Sequence, residues 1–133
     1  MLHLSEDQRE ELRAHARAAY PREACGLLVG RAAEDGFVVE AVHEVENRSH
    51  EKDRFVLDAA GHLAVSREAD AHGKSVVGVW HTHPDGEPVP SRTDLEGAWP
   101  GWSYLIVAVS GDGDASCASW RLEGDRFTRE ELA

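Results

Sequence analysis

Hydrophobic and polar positions change their period several times along the chain, and each change predicts an element. Residues 4–21, LSEDQREELRAHARAAYP, read as a helix. Ser5 is the N-cap with Gln8 three residues on, acids crowd the first turn, arginines follow, and Tyr20-Pro21 ends it. The apolar run ACGLLVGRA is bounded by glycines and predicts a buried strand. GFVVEAVHEVEN alternates and pairs with it across AAEDG as a hairpin. RFVLD, residues 54–58, reads as a third short strand. AAGHLAVSREADAHG has helical spacing at Leu63, Val65 and Ala69, with Gly73 as the stop. KSVVGVWHTH is a β-branched strand that Pro84 ends. SRTDLEGA opens on a capping signal and predicts a short helix, WSYLIVAVSG is the strongest buried strand, and ASCASWRLEGDRFTREEL folds back as a hairpin at Glu123-Gly124-Asp125. The order α-β-β-β-α-β-α-β-β-β predicts an α/β fold: one mixed sheet with helices packed on it.

Composition adds limits. The chain of 133 residues suits one domain, residues 1–133, with a real core. No apolar run is long enough for a bilayer, and MLHLSEDQREEL lacks the basic and apolar regions of a signal peptide. The expectation is a soluble cytoplasmic protein with no membrane partner. The two cysteines, Cys25 and Cys117, cannot form a disulfide framework and read as small buried apolar residues. A net charge of −11 argues against a nucleic-acid partner, which needs a basic surface.

The chemistry concentrates in HTHPDGEPVPSRTD, residues 81–94. Strand side chains alternate, so His81 and His83 point one way and Thr82 the other. Ten residues separate His83 from Asp94, a loop long enough to bring its carboxylate back. Two histidines and a carboxylate with one open position make a catalytic zinc arrangement, whereas calcium wants more oxygens. Each residue also has a plainer reading. An H-x-H pair on a strand is usually packing, Ser91 to Asp94 fits a capping box, and Pro84, Pro88 and Pro90 stiffen a loop. Glu23, in YPREACGLLVG just before a buried strand, would alone be a surface acid.

Together the two segments resemble the JAMM (MPN+) metallopeptidase family. Its signature is a Glu, commonly within P-x-E-x-C-G-x-L-x-G, then H-x-H-P, a loop, and P-S-x-x-D. Pro21, Glu23, Cys25, Gly26, Leu28 and Gly30 match the first part, and His81, His83, Pro84, Pro90, Ser91 and Asp94 the second. The resemblance covers most of the chain. It implies the JAMM/MPN fold, a cytidine-deaminase-like α/β/α arrangement. It implies one zinc ion (Zn2+) per chain held by His81, His83 and Asp94, with Glu23 as general base and Ser91 steadying the oxyanion. It further implies cleavage after the Gly-Gly tail of a ubiquitin-like or sulfur-carrier protein, the leaving group being either a cysteine adduct or a lysine. Three other readings stay open: a non-catalytic MPN scaffold, a RadC-like relative sharing the H-x-H-P-x-G segment, and a zinc hydrolase of small amides. The oligomeric state is not specified.

The acidic surface generates a first expectation. There are 25 acids against 14 bases, and only Lys52 and Lys74 are lysines. A salt-rich cytosol or a GC-rich genome would each give this pattern. If self-repulsion matters, salt relieves it. The melting temperature should then rise between low and molar KCl, and a flat or falling value would favour the genomic explanation.

Overall fold

The computed structural model describes residues 1–51 and 54–133. The elements are β1 (Leu2–His3), α1 (Glu6–Ala19), β2 (Cys25–Ala33), β3 (Gly36–Val45), α2 (Ala59–Ala71), β4 (Ser75–Pro84), α3 (Arg92–Glu96), β5 (Ser103–Val109), β6 (Ala115–Glu123) and β7 (Arg126–Glu130). The strands form one seven-stranded mixed sheet in the order β1-β3-β2-β4-β5-β6-β7. It is an α/β fold, as its periodicities predict.

The caps explain the helix boundaries. Ser5 and Gln8 form a reciprocal capping box on α1, and Tyr20 is its C-cap. Asp58 caps α2 through the Gly61 amide, and Gly73, at φ 70°, follows its end.

β4 is the pivot. It runs antiparallel to β2 on one side and parallel to β5 on the other. α1 packs against β3, β5 and β6, while α2 packs against β2, β3 and β4. The sheet therefore separates two cores. Leu12, Ala16, Leu28, Trp80, Leu105 and Val107 meet on the α1 side. Leu27, Val29, Val65, Ala69, Val79 and Tyr104 meet on the α2 side. The β2–β4 register shifts between Leu28 and Val29, leaving Val77 as an extra residue on β4. This bulge lets Val77 share the α1 side with Trp80, and strict alternation resumes beyond it. Val79 then faces α2, and His81 and His83 continue that parity. At the other end of the molecule, Leu2 pairs with Phe37 of β3 and also bonds the backbone of Glu131 and Ala133. No helix among the described residues is long and apolar enough to cross a membrane.

One expectation is corrected. Residues 54–58 are not a strand; only an isolated bridge, Leu57 to Asn47, forms there. Asp58 is taken as a helix cap, and the Val56 amide bonds a side chain, Asn47 Oδ1 at 2.9 Å, where a strand would use a neighbouring backbone. β4 ends at Pro84, as the sequence predicts, with Pro84 opposite Val109 of the parallel neighbour β5.

Gly26 shows how tightly β2 and β3 are locked. A Cβ there would lie 1.9 Å from the His43 carbonyl oxygen and 2.5 Å from Trp80 Nε1, the two atoms that bond each other at 3.0 Å. Gly26→Ala should destabilise the protein by about 1–3 kcal/mol or more, as overpacking does. Urea unfolding would measure it, and an unchanged midpoint would mean that the strands separate easily.

Candidate active site

His81 and His83 lie at the carboxyl end of β4, on the α2 side. Their Nε2 atoms are 3.0 Å apart. Asp94, in the first turn of α3, places Oδ2 at 3.2 Å from each of them. Three ligand-capable atoms thus form a nearly equilateral triangle. Bonds of about 2.0–2.1 Å around a tetrahedral zinc give ligand-to-ligand edges of about 3.3 Å, so the triangle has the size of one face of such a site. Glu23, just before β2, joins the group from the other side: it and the two histidines offer ligand atoms within 4.8 Å of one another.

The hydrogen bonds set the protonation states. His83 Nδ1 lies 2.9 Å from the Glu87 carbonyl, which can only accept. The proton is therefore on Nδ1, and Nε2 turns a lone pair towards the triangle. His81 is buried, and burial holds its pKa below the ordinary imidazole value despite the Asp94 carboxylate. Burial also tends to lower His83, but Asp94 and the Glu87 carbonyl outweigh it and the net shift is upward. For Asp94, burial opposes ionisation, yet the two imidazoles and the Ser91 amide hold its carboxyl well below the usual range. Asp94 is thus an anion in contact with two imidazoles. The donor set of two nitrogens and a carboxylate oxygen, with lone pairs converging in a space only 8% exposed at Asp94, fits a borderline cation such as zinc.

Ser91 and Asp94 also satisfy the plainer reading, because α3 starts with a full capping box. Ser91 Oγ accepts from the Asp94 amide at 3.1 Å, and Asp94 Oδ2 accepts from the Ser91 amide at 2.8 Å. The capping bonds fix the carboxylate oxygen that faces the histidines. The two readings of this segment are one geometry.

Several supporting residues lay outside the motifs. Thr82, on the opposite face of β4, accepts from the Ala24 amide through Oγ1 at 2.9 Å, while its own amide donates to the Ala24 carbonyl at 3.0 Å. This joins the Glu23 segment to the histidine strand. Asn47 donates to the Glu23 carbonyl at 3.0 Å. Phe55 stacks on His81, with ring centroids 4.4 Å apart and planes at 21°. Tyr20 donates to Asp85 Oδ2 at 2.6 Å, across the start of the loop. Trp120 Nε1 donates to the Pro88 carbonyl at 3.0 Å and anchors the loop's middle. The usable sequence signals were an Asn in a polar stretch and an aromatic next to it, both too common to single out.

Clefts lie on both sides of the triangle. One, of about 450 Å³, is lined by Pro21, Glu23, His83, Pro84, Asp85 and Ser91. Another, of about 220 Å³, is lined by Phe55, Leu57, His81, Asp94 and Tyr104 among others. The second shares Phe55, Leu57 and Tyr104 with a wider apolar groove that adds Trp99 and Trp102.

Residues 5–123 match the Prok-JAB family, the prokaryotic homologs of the JAB domain. The chain belongs to this family. By family it is a hydrolase of the JAMM type. Among curated proteins it is 36% identical to the desampylase of Haloferax volcanii, over 99% of this chain and 95% of the relative. It is 30% identical to the CysO-cysteine peptidase of Mycobacterium tuberculosis, over 90% of this chain and 81% of the relative. Among solved structures, a protein of Desulfitobacterium hafniense superposes with a TM-score of 0.91 at 34% identity, covering 100% of this chain and 92% of the other.

Cys25, a motif residue, pairs with His81 in the β2–β4 register and is buried. Burial, with Glu23 adding to it, pushes its thiol up to about 12. As the thiolate is the reactive form, Cys25 should resist iodoacetamide at pH 8 in the native protein and react on unfolding. Peptide mass spectrometry would show this, and rapid native labelling would contradict the packing.

Proposed function

We propose that the chain is a cytoplasmic, zinc-dependent peptidase in which residues 1–133 act as one catalytic domain. Its substrate in this reading is a ubiquitin-like or sulfur-carrier protein, cut after the C-terminal Gly-Gly tail. The single observation that carries the reading is the triangle of His81 Nε2, His83 Nε2 and Asp94 Oδ2, with edges of 3.0, 3.2 and 3.2 Å. His81, His83 and Asp94 would hold one zinc ion. Zinc, when bound, supplies a Lewis acid that lowers the pKa of a bound water to about 7 and polarises a carbonyl.

The chain's own groups do the rest. Glu23 is the general base: its carboxylate takes a proton from the attacking water and returns it to the leaving amine. The leaving group accordingly lies towards the cleft that Glu23 lines. Ser91 Oγ accepts from the Asp94 amide, which leaves its hydroxyl hydrogen to donate to the carbonyl oxygen as that oxygen becomes negative. A Gly-Gly tail suits such a site, because a backbone without Cβ atoms can approach the ligands closely. The names of the desampylase and CysO-cysteine peptidase relatives support this class of partner. A cysteine adduct and a lysine isopeptide present the same amide to these residues.

The test is cleavage of a carrier joined through its Gly-Gly carboxyl to an amine, with zinc content measured on the same samples. The parent should cut after the second glycine and hold one zinc per chain. Glu23→Gln should keep zinc and lose about 10²–10⁴ in turnover. Ser91→Ala should keep zinc and lose about 10²–10³ in kcat. Zinc retained by a His81→Ala, His83→Ala double variant, or an unaffected rate in Glu23→Gln, would overturn the reading.

A further inference from the structure

Among the described residues, His81 lacks the hydrogen-bond support that an imidazole ligand usually has. Its Nδ1 is buried and has no hydrogen-bond partner among the described residues, whereas His83 Nδ1 donates to the Glu87 carbonyl. Ring nitrogens opposite a metal normally donate to a carbonyl or carboxylate that fixes the ring. Away from the ligand triangle, the Phe55 ring is stacked on the face of His81 and constrains its orientation. What holds Phe55 there is then part of the site.

Phe55 lies in a segment with little regular structure, and its neighbours are tied to one side chain. Asn47 Oδ1 accepts from the Ser49 amide at 3.0 Å and from the Val56 amide at 2.9 Å. Asn47 Nδ2 donates to the Arg54 carbonyl at 3.3 Å and to the Glu23 carbonyl at 3.0 Å. The backbone on both sides of Phe55 is thereby bonded to Asn47, and so is the backbone of Glu23. An amide side chain has two donor hydrogens and an oxygen that can accept two bonds, so these four use its full capacity. A carboxylate of the same shape could only accept, and an alanine could do neither.

We propose that Asn47 is a positioning residue: it holds Phe55 over His81 and Glu23 beside it, so that both stand in register with His83 and Asp94. The part that concerns Glu23 rests on the reading of Glu23 as the base; the part that concerns His81 does not.

The first measurement needs neither zinc nor substrate. In the metal-free protein, the Phe55 ring current displaces the His81 ring-proton resonances, with Phe55→Leu as the reference for its loss. Asn47→Ala should move these resonances to the Phe55→Leu position. His81 resonances unchanged from the parent in a folded Asn47→Ala sample would overturn the proposal. The second measurement is zinc affinity, by competition with a chromophoric chelator. Loss of outer support costs about 10–100-fold in metal affinity or activity, and Asn47→Ala should fall in that range. Asn47→Asp retains the two acceptor bonds and loses both donor bonds; it serves as well if the alanine variant does not fold. It should lower kcat at least tenfold with KM within twofold, because Glu23 moves while the clefts persist. Folded variants with parental kcat and zinc affinity, differing only in melting temperature, would reduce Asn47 to a structural role and overturn the proposal. Should Glu23→Gln alone retain full turnover, the base assignment fails, and the His81 resonances and zinc affinity still decide the role of Asn47.

Discussion

The two backbone-linked bonds between Thr82 and Ala24 join parts of the chain 58 residues apart. One uses the Thr82 amide and the other its hydroxyl, so the connection depends on a residue that faces away from the histidines. Its effect is nonetheless on them. With Ala24 fastened to Thr82, Cys25 must pair with His81, and Glu23 must stand at the end of β4. A slip of one residue in this register would turn His81 and His83 towards Trp80 and α1. The parity is sustained by the sheet on the other side, where β5 runs parallel and in continuous register from Gly78 to Pro84. The upstream acid and the downstream histidines meet because one buried threonine is bonded to Ala24 through both its amide and its hydroxyl oxygen.

The second constraint is electrostatic. Two imidazole nitrogens and a carboxylate oxygen lie within hydrogen-bonding distance in a nearly dry space. Lone pairs held so close repel unless a proton or cation stands among them. The capping box of α3 keeps Asp94 there by satisfying the Ser91 amide with the same oxygen that faces the histidines. Helix formation and site formation therefore share a bond. Five residues of α3 would otherwise be a marginal helix.

Much of this was legible in the residue pattern. Caps are local, so Ser5 with Gln8, and Ser91 with Asp94, could be read from spacing alone. The common direction of His81 and His83 follows from strand alternation. The remainder depended on contacts between distant segments. The Val77 bulge arises from register against β2, which no property of SVVGVW announces. The two residues of β1 are too few for a periodicity, and their pairing with β3 comes from tertiary position. The segment 54–58 has strand composition, but the Arg54 carbonyl and the Val56 amide bond the Asn47 side chain, and its aromatic side chain stacks on His81. Local preference and tertiary use diverged there, beside the candidate site. The assembly of Glu23, His81, His83, Ser91 and Asp94 around adjoining clefts was foreseen only through the two motifs read together, since each residue alone has an ordinary structural explanation.

The groove beside the Phe55–His81 stack carries a different consequence. Trp99 is 69% exposed on its rim, and Trp102 lines it too, while Trp80 is wholly enclosed in the opposite core. Indole emission moves to the blue as water leaves the ring. The chain thus has a built-in optical signal whose variable part borders the clefts and whose constant part sits behind the sheet. Occupancy of that groove can be followed by the protein's own light, with no label attached.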